Sequence, residues 1–235
     1  MRVYYRIYPG KPGNRPFADG DKLNLVQGCL RSFMASVAMA DVHITFLLDD
    51  CPTDWVRAVF DIMDPYSVIT YDIIKLDGIG NKPSFLEQLE MALDGPDDEF
   101  IYFAEDDYLY RPMAIAKMLS FARTGCDDFI TLYDHPDRYR RGDDCHVKDH
   151  IEICDDWHWR TAESTTMTFG AWKDTIRKAV GVIRENACTG RGMWYPILSR
   201  QGFTLWSPMP SLATHVQDGV LAPCVDWEKI WNSAS

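Results

Sequence analysis

Phe100-Ile101-Tyr102-Phe103-Ala104-Glu105-Asp106-Asp107 decides how this chain reads. Its apolar half, Phe100–Phe103, has the composition of a short strand buried on both faces. The strand ends abruptly in three carboxylates. Three acids at one strand end repel each other unless a cation sits among them, and hard divalent cations prefer such oxygen ligands. A metal held there would bind a diphosphate and neutralise the charge that develops as it leaves. Taken alone, the triplet also reads as a solvated acidic turn, so its setting has to decide.

On the N-terminal side, Val3–Tyr8 alternates and is rich in β-formers, and Pro9-Gly10-Lys11-Pro12-Gly13 breaks it. Leu23 to Ala40 carries apolar residues at helical spacing. His43–Leu48 is a strand that runs into Asp49-Asp50-Cys51-Pro52. Trp55–Met63 reads as a helix and Ser67–Leu76 as a strand. Phe85–Leu93 reads as a helix with Ser84 as N-cap and Glu87 at the capping-box position. The order β-α-β-α-β-α-β, with apolar rather than alternating strands, predicts an α/β fold: an open, mainly parallel sheet with helices on both faces. Ligands of such sheets bind beyond the carboxyl ends of the strands. The clusters Pro9–Pro12, Asp49-Asp50, Asn81-Lys82 and Glu105–Asp107 all fall there, and their coincidence predicts one site.

On the C-terminal side the pattern changes: residues 1–110 read as one half and residues 111–235 as the other half of the same domain. Pro112–Arg123 reads as a helix and Asp128–Tyr133 as a strand. Asp134–Arg160 is long, polar and aromatic without clear periodicity, which predicts a binding loop. Thr165–Phe169 is a strand, Trp172–Val182 and Met193–Arg200 are helices, and Thr204–Trp206 and Ser211–His215 are extended. The chain of 235 residues has a net charge of -11, which excludes general attraction to nucleic acid or anionic lipid. No apolar run approaches the roughly 18 residues of a membrane span. The seven cysteines, odd in number and without C-x-x-C spacing, favour reduced thiols in a cytoplasmic setting.

Glu105–Asp107 resembles the D-x-D signature of the GT-A glycosyltransferases, in its E-D-D form. The likeness extends to Gly80–Phe85 (GNKPSF), Glu105–Leu109 (EDDYL), Thr131–Tyr139 (TLYDHPDRY), His158–Phe169 (HWRTAESTTMTF), Pro210–His215 (PSLATH) and Val225-Asp226-Trp227. These stretches are similar, in order, to bacterial and viral glycosyltransferases. The resemblance implies a nucleotide-diphosphate sugar donor, UDP being the commonest nucleotide of this fold, and a glycan or other hydroxyl acceptor. It makes residues 1–110 the nucleotide-sugar-binding half and residues 111–235 the acceptor-binding half of the domain. It implies a divalent cation, with Asp107 and His215 as metal ligands; one imidazole among carboxylates suits Mn²⁺ better than Mg²⁺. Glu105 and Asp106 are expected to face the ribose, the sugar or metal-bound water. Arg6, Tyr8 and Pro9 are expected beside the nucleobase, with either Asp49 or Asp50 contacting it. Asn81 and Lys82 are expected beside the donor, Lys82 meeting a phosphate or solvent.

One position departs from the pattern. Many inverting enzymes of this fold carry an E-D pair before a helix ending in Gly, and its Asp is the general base. Matching that helix to Thr189–Gly202 puts Gly190-Arg191 at the acids' place. The base is then expected from Asp134, Glu163 or Glu185, with inversion favoured over retention. Three other readings compete. A sugar nucleotidyltransferase needs a Gly-rich basic loop that Pro9–Pro16 does not supply. A glycoside hydrolase would use two of the many acids. A non-catalytic sugar-binding module fits the missing pair.

Overall fold

The computed structural model describes residues 1–234 apart from 12, 14, 39, 96 and 140–149. Four parallel strands form its first half: β1 (Arg2–Ile7), β2 (His43–Asp49), β3 (Thr70–Leu76) and β4 (Phe100–Glu105), in the spatial order β3-β2-β1-β4. The helices α1 (Lys22–Ser36), α2 (Thr53–Met63) and α3 (Asn81–Leu93) connect them. The alternation of β1 sorts the two faces. Val3, Tyr5 and Ile7 pack with Cys29 and Phe33 of α1 and Val59 of α2, whereas Tyr4 packs with Phe85 and Leu89 of α3. In β4, Tyr102 joins the first core and Ile101 and Phe103 the second. Both faces being covered is why Val3–Tyr5 of β1 and Phe100–Ala104 of β4 carry no charged residue.

The sheet continues past β4 through β9 (Phe169–Trp172), β6 (Phe129–Ile130), β10 (Leu205–Met209), β8 (Trp157–Thr161) and β7 (Ile151–Cys154), nine strands in all. The pairings make β9 and β8 run against the rest, so the sheet is mixed but mainly parallel in direction. A separate two-stranded sheet pairs β5 (Tyr108–Tyr110) with β11 (Ala213–His215). The remaining helices are α4 (Ala114–Ala122), α5 (Lys173–Asn186), α6 (Arg191–Gln201) and α7 (Trp227–Ala234). Among the described residues no helix is long and apolar enough to cross a membrane. The described cysteines are free thiols.

Three local expectations are corrected. Helix α3 starts at Asn81, one turn before Phe85, with Gly80 as N-cap and no side-chain cap. Pro83 is tolerated in that first turn because its position has no intrahelical partner to lose. Ser84 therefore lies inside the helix instead of capping it. The stretch 134–160 is not one loop: β7 and β8 form a hairpin turned at Asp155-Asp156, Asp155 having a positive φ. Residues 140–149 of that stretch, and Pro12 of the first polar cluster, lie outside the described residues. The strand expected at Thr165–Phe169 begins only at Phe169, since Thr165 and Thr131 bond side chain to side chain at 3.0 Å ahead of it.

Gly170 joins the two halves of the sheet, paired with Tyr102 of β4 and Ile130 of β6. A Cβ there would meet Phe100 Cε1 at 2.7 Å and the Ile101 carbonyl oxygen at 3.0 Å. The ring is buried and the carbonyl belongs to the ladder, so neither yields easily. Gly170→Ala is expected to destabilise the protein by about 1–3 kcal/mol, the usual cost of overpacking. Urea unfolding measures this, and a midpoint unchanged from wild type counts against the packing argument.

Candidate functional site

The carboxyl ends of β1, β2 and β4 and the start of α3 enclose an open cleft of about 520 Å³. That volume lies in the usual range of small-molecule sites. Four acids (Asp49, Glu105, Asp106, Asp107) and four bases (Arg6, Lys11, Arg15, Lys22) line it. Of the expected polar clusters, Gly10 and Lys11, Asp49, Asn81 and the acid triplet line this cleft, as do Arg6 and Tyr8.

Each acid of the triplet has its own cation. Arg6 Nη2 donates to Glu105 Oε1, while its Nη1 donates to the Asn81 carbonyl and, at 3.0 Å, to Ser84 Oγ. Lys22 Nζ donates to Asp106 Oδ1 at 2.6 Å, and the Tyr8 backbone N–H donates to Asp106 Oδ2 at 2.9 Å. Arg15 Nη2 donates to Asp107 Oδ2 at 2.9 Å. Burial pushes the Glu105 and Asp106 carboxyls above their ordinary range, and Arg6 and Lys22 counter it only in part. Burial acts the same way on Asp107, but His215, Lys22 and Arg15 outweigh it and hold that carboxyl well below the usual carboxylate range.

The small sheet brings His215 to Asp107 across 108 positions of sequence. Antiparallel pairing sets His215 opposite Tyr108, and the Val216 N–H donates to the Asp107 carbonyl at 2.8 Å. His215 Nε2 then lies 3.0 Å from Asp107 Oδ2, with the imidazole stacked on the Tyr108 ring at a 5.3 Å centroid distance. Among the described residues no group of three or more His, Cys, Asp or Glu side chains converges on one point.

The other predicted residues divide. Asp49 is buried, and its two carboxylate oxygens accept from the Ile79 and Gly80 N–H groups at 2.9 and 2.8 Å. It fixes the turn into α3, which places Asn81. Asp50 is exposed at a positive φ of 55° and, like Pro9, is not among the residues lining the cleft. Lys82 points away, donating to the Glu185 carbonyl at 3.0 Å from the end of α5. Asp134 is buried, ion-paired with Arg160 and accepting from Tyr139 Oη. Glu163 meets Arg191 Nη2 at 3.2 Å, and Arg191 opens α6. Neither Asp134 nor Glu163 lines the cleft itself.

No protein-family profile and no curated protein matches the chain. Solved structures do match it in shape. The glycosyltransferase GlyE of Streptococcus pneumoniae TIGR4 aligns over 99% of this chain and 62% of its own, with TM-score 0.51 and 10% identity. A protein of Desulfovibrio desulfuricans G20 assigned as a nucleotide-diphospho-sugar transferase aligns over 88% of this chain and 78% of its own, with TM-score 0.50 and 9% identity. The fold is GT-A. The mannosyltransferase PcManGT of Pyrobaculum calidifontis is more distant, at TM-score 0.44 and 10% identity over 59% of this chain; the chain spans 36% of its length. At these identities the likeness is one of GT-A architecture alone.

Two cleft residues of this GT-A chain escaped the sequence reading, Arg15 and Lys22. Each sits on a loop or a helix start where a basic residue reads as solvated. The one signal available was the acid triplet, since buried carboxylates require counterions, and Lys11, Arg15 and Lys22 follow the first strand that flanks it.

Proposed function

We propose that the chain is a metal-dependent glycosyltransferase that transfers a sugar from a nucleotide-diphosphate sugar, with UDP as the favoured nucleotide, to a hydroxyl acceptor. The observation that carries this reading is the balanced cleft. In a protein of net charge -11, four bases offset the four acids lining it, and Lys11 makes no ion pair among the described residues. A diphosphate can enter there without the repulsion that the rest of the surface would impose.

The donor atoms at Asp107 and His215 fit a divalent cation. An oxygen and a nitrogen 3.0 Å apart match two adjacent ligands on one ion at about 2.1 Å each. A ligating carboxylate must be ionised, and Asp107 is the acid of the triplet that its neighbours hold so. With two protein donors, the ion depends on diphosphate oxygens and water for its remaining ligands, which couples metal binding to nucleotide binding. When bound, it would supply charge neutralisation for the departing diphosphate. The protein's own groups do the rest. Arg6 orders Glu105 and the start of α3, Lys22 and the Tyr8 N–H orient Asp106, and Tyr8, half exposed at the cleft mouth, offers a face on which a base can stack.

For the acceptor side we favour Glu163 as general base and inversion as the outcome. Its carboxylate meets Arg191 at the start of α6, where the family pattern expects an acid. Asp134 is committed to Arg160 and Tyr139.

Calorimetry with UDP and GDP, each with Mn²⁺ and with EDTA, tests donor binding. At least one nucleotide is expected to bind about tenfold or more tightly with Mn²⁺, in keeping with a charge-assisted contact to the metal. Equal affinity in EDTA counts against the metal. Incubation with a panel of nucleotide sugars then separates the alternatives. Nucleoside diphosphate release supports a transferase, pyrophosphate release a sugar nucleotidyltransferase, and no release a sugar-binding module.

A further inference from the structure

Arg15 stands where the proposed ion would stand. Its Nη2 is 2.9 Å from Asp107 Oδ2 and its Nη1 is 3.2 Å from His215 Nε2. Nη1 also donates to the Val216 carbonyl. One guanidinium thus touches both donors that the metal reading requires. The contact is not a surface accident, since the Arg15 side chain is only 10% exposed. Its position is built from both sides. Two residues on, Phe17 stacks on Trp231 of α7 with ring centroids 5.5 Å apart and planes 12° apart. Lys22, at the start of α1, is pinned to Asp106. Yet Arg15 is incompletely satisfied: its Nε is buried and has no hydrogen-bond partner. A buried guanidinium with a spare donor is costly unless another acceptor is to arrive.

We propose that Arg15 is a tethered cation that holds Asp107 and His215 together in the nucleotide-free protein and moves to the phosphates when a metal-bound diphosphate enters. The inference rests on the metal reading above and goes beyond it. Two positive charges cannot share Asp107 Oδ2 and the space beside it without strong repulsion. An incoming ion therefore displaces the guanidinium. The diphosphate arriving with that ion supplies the acceptor the guanidinium then needs, and Arg is suited to bridge phosphate oxygens with two parallel donors. The exchange keeps the charge near Asp107 balanced in both states. It also makes a metal ion alone a poor ligand, because without phosphate the displaced Arg15 has nowhere favourable to go.

The consequence is a pair of effects opposite in sign. Arg15→Gln should tighten Mn²⁺ binding in the absence of nucleotide, because the competitor is gone. The same change should weaken UDP or GDP binding at saturating Mn²⁺, because the phosphate partner is gone. Each shift is expected to be about tenfold or more, the size of a charge-assisted hydrogen bond. A residue with only a structural role would move both affinities the same way or neither.

The experiment is Mn²⁺ titration followed by electron paramagnetic resonance, with MnCl₂ alone and with MnCl₂ plus UDP or GDP. It compares wild type, Arg15→Gln, Arg15→Lys and Asp107→Asn, with thermal unfolding to show that each variant is folded. Tighter Mn²⁺ alone and weaker nucleotide in Arg15→Gln, with Arg15→Lys closer to wild type, supports the exchange. Mn²⁺ affinity in Arg15→Gln that is unchanged, lower or still unmeasurable overturns it. If that happens while Asp107→Asn still loses Mn²⁺ with nucleotide present, the metal reading survives and only the role of Arg15 fails. If Asp107→Asn binds Mn²⁺ and nucleotide as wild type does, the metal reading fails and takes the exchange with it.

Discussion

Asp107→Asn is expected to lower turnover by about 10²–10³-fold or more, the loss seen when one preorganised electrostatic partner of a transition state is removed. The amide keeps the size of the side chain and its place between β4 and β5, so the fold should persist. What goes is the negative charge that Arg15 and His215 both face. Asp107 differs from its neighbours in the triplet. Glu105 and Asp106 are raised by burial and serve Arg6 and Lys22, whereas Asp107 is held ionised. Their amides are thus expected to harm the shape of the cleft first and turnover second. His215→Ala should cost less than Asp107→Asn, since water can replace one neutral ligand. Steady-state rates with the nucleotide sugar that the panel identifies, alongside Mn²⁺ affinity, provide the test. An Asp107→Asn enzyme with wild-type turnover would place the charge-neutralising group elsewhere.

The parts of the fold that were legible are those where local pattern and burial agree. The strands β2 and β4 and the middle of β1 are apolar because helices cover both faces, whereas the edge strand β3, with Asp72 and Lys75, stays half-exposed. The polar clusters that follow these strands bring Lys11, Asp49, Asn81 and the triplet to one cleft, whereas Arg6 was expected only through the resemblance. The start of α3 was misread because Ser84 and Glu87 imitate a capping box, while the actual start is fixed from a distance by Asp49. The hairpin of β7 and β8 was missed although Ile151-Glu152-Ile153 and Trp157-His158-Trp159-Arg160 alternate in hydropathy, because each strand is only four or five residues long inside a long polar stretch. Its buried Trp159 is recognised only through its stacking on Phe121, 4.4 Å away. Charge pairing was the least legible level. Arg15 with Asp107 and Lys22 with Asp106 span 92 and 84 positions, and nothing local marks one basic residue as buried and another as solvated. His215 was reachable only through resemblance, because its partner strand β5 is three residues long.

Glu163→Gln is expected to lower turnover by about 10²–10⁴-fold while leaving nucleotide binding within about twofold of wild type, the pattern of a lost general base. The reason lies at the start of α6. Many inverting enzymes that the sequence resembles carry an acid there, and this chain has Gly190-Arg191 instead. Arg191 Nη2 reaches Glu163 Oε2 at 3.2 Å and Asp137 Oδ2 at 3.7 Å, so an arginine stands where the acid was expected and gathers carboxylates around itself. Glu163 also lies 3.8 Å from Arg138. These arginines hold the carboxylate in place beside the start of α6. Asp134→Asn is expected to behave differently. Its carboxylate is buried against Arg160 and Tyr139, so the substitution leaves a guanidinium short of its partner and should reduce stability, by about 3–5 kcal/mol for a broken buried pair. Thermal unfolding and kcat measured on both variants separate the two roles. Asp134→Asn should melt early, and Glu163→Gln should melt normally and turn over slowly. Product configuration read by NMR comes first, because a retained anomeric centre would remove the need for any base of this kind. Inversion with an unaffected Glu163→Gln enzyme would shift the assignment to Asp137, the other carboxylate that Arg191 touches.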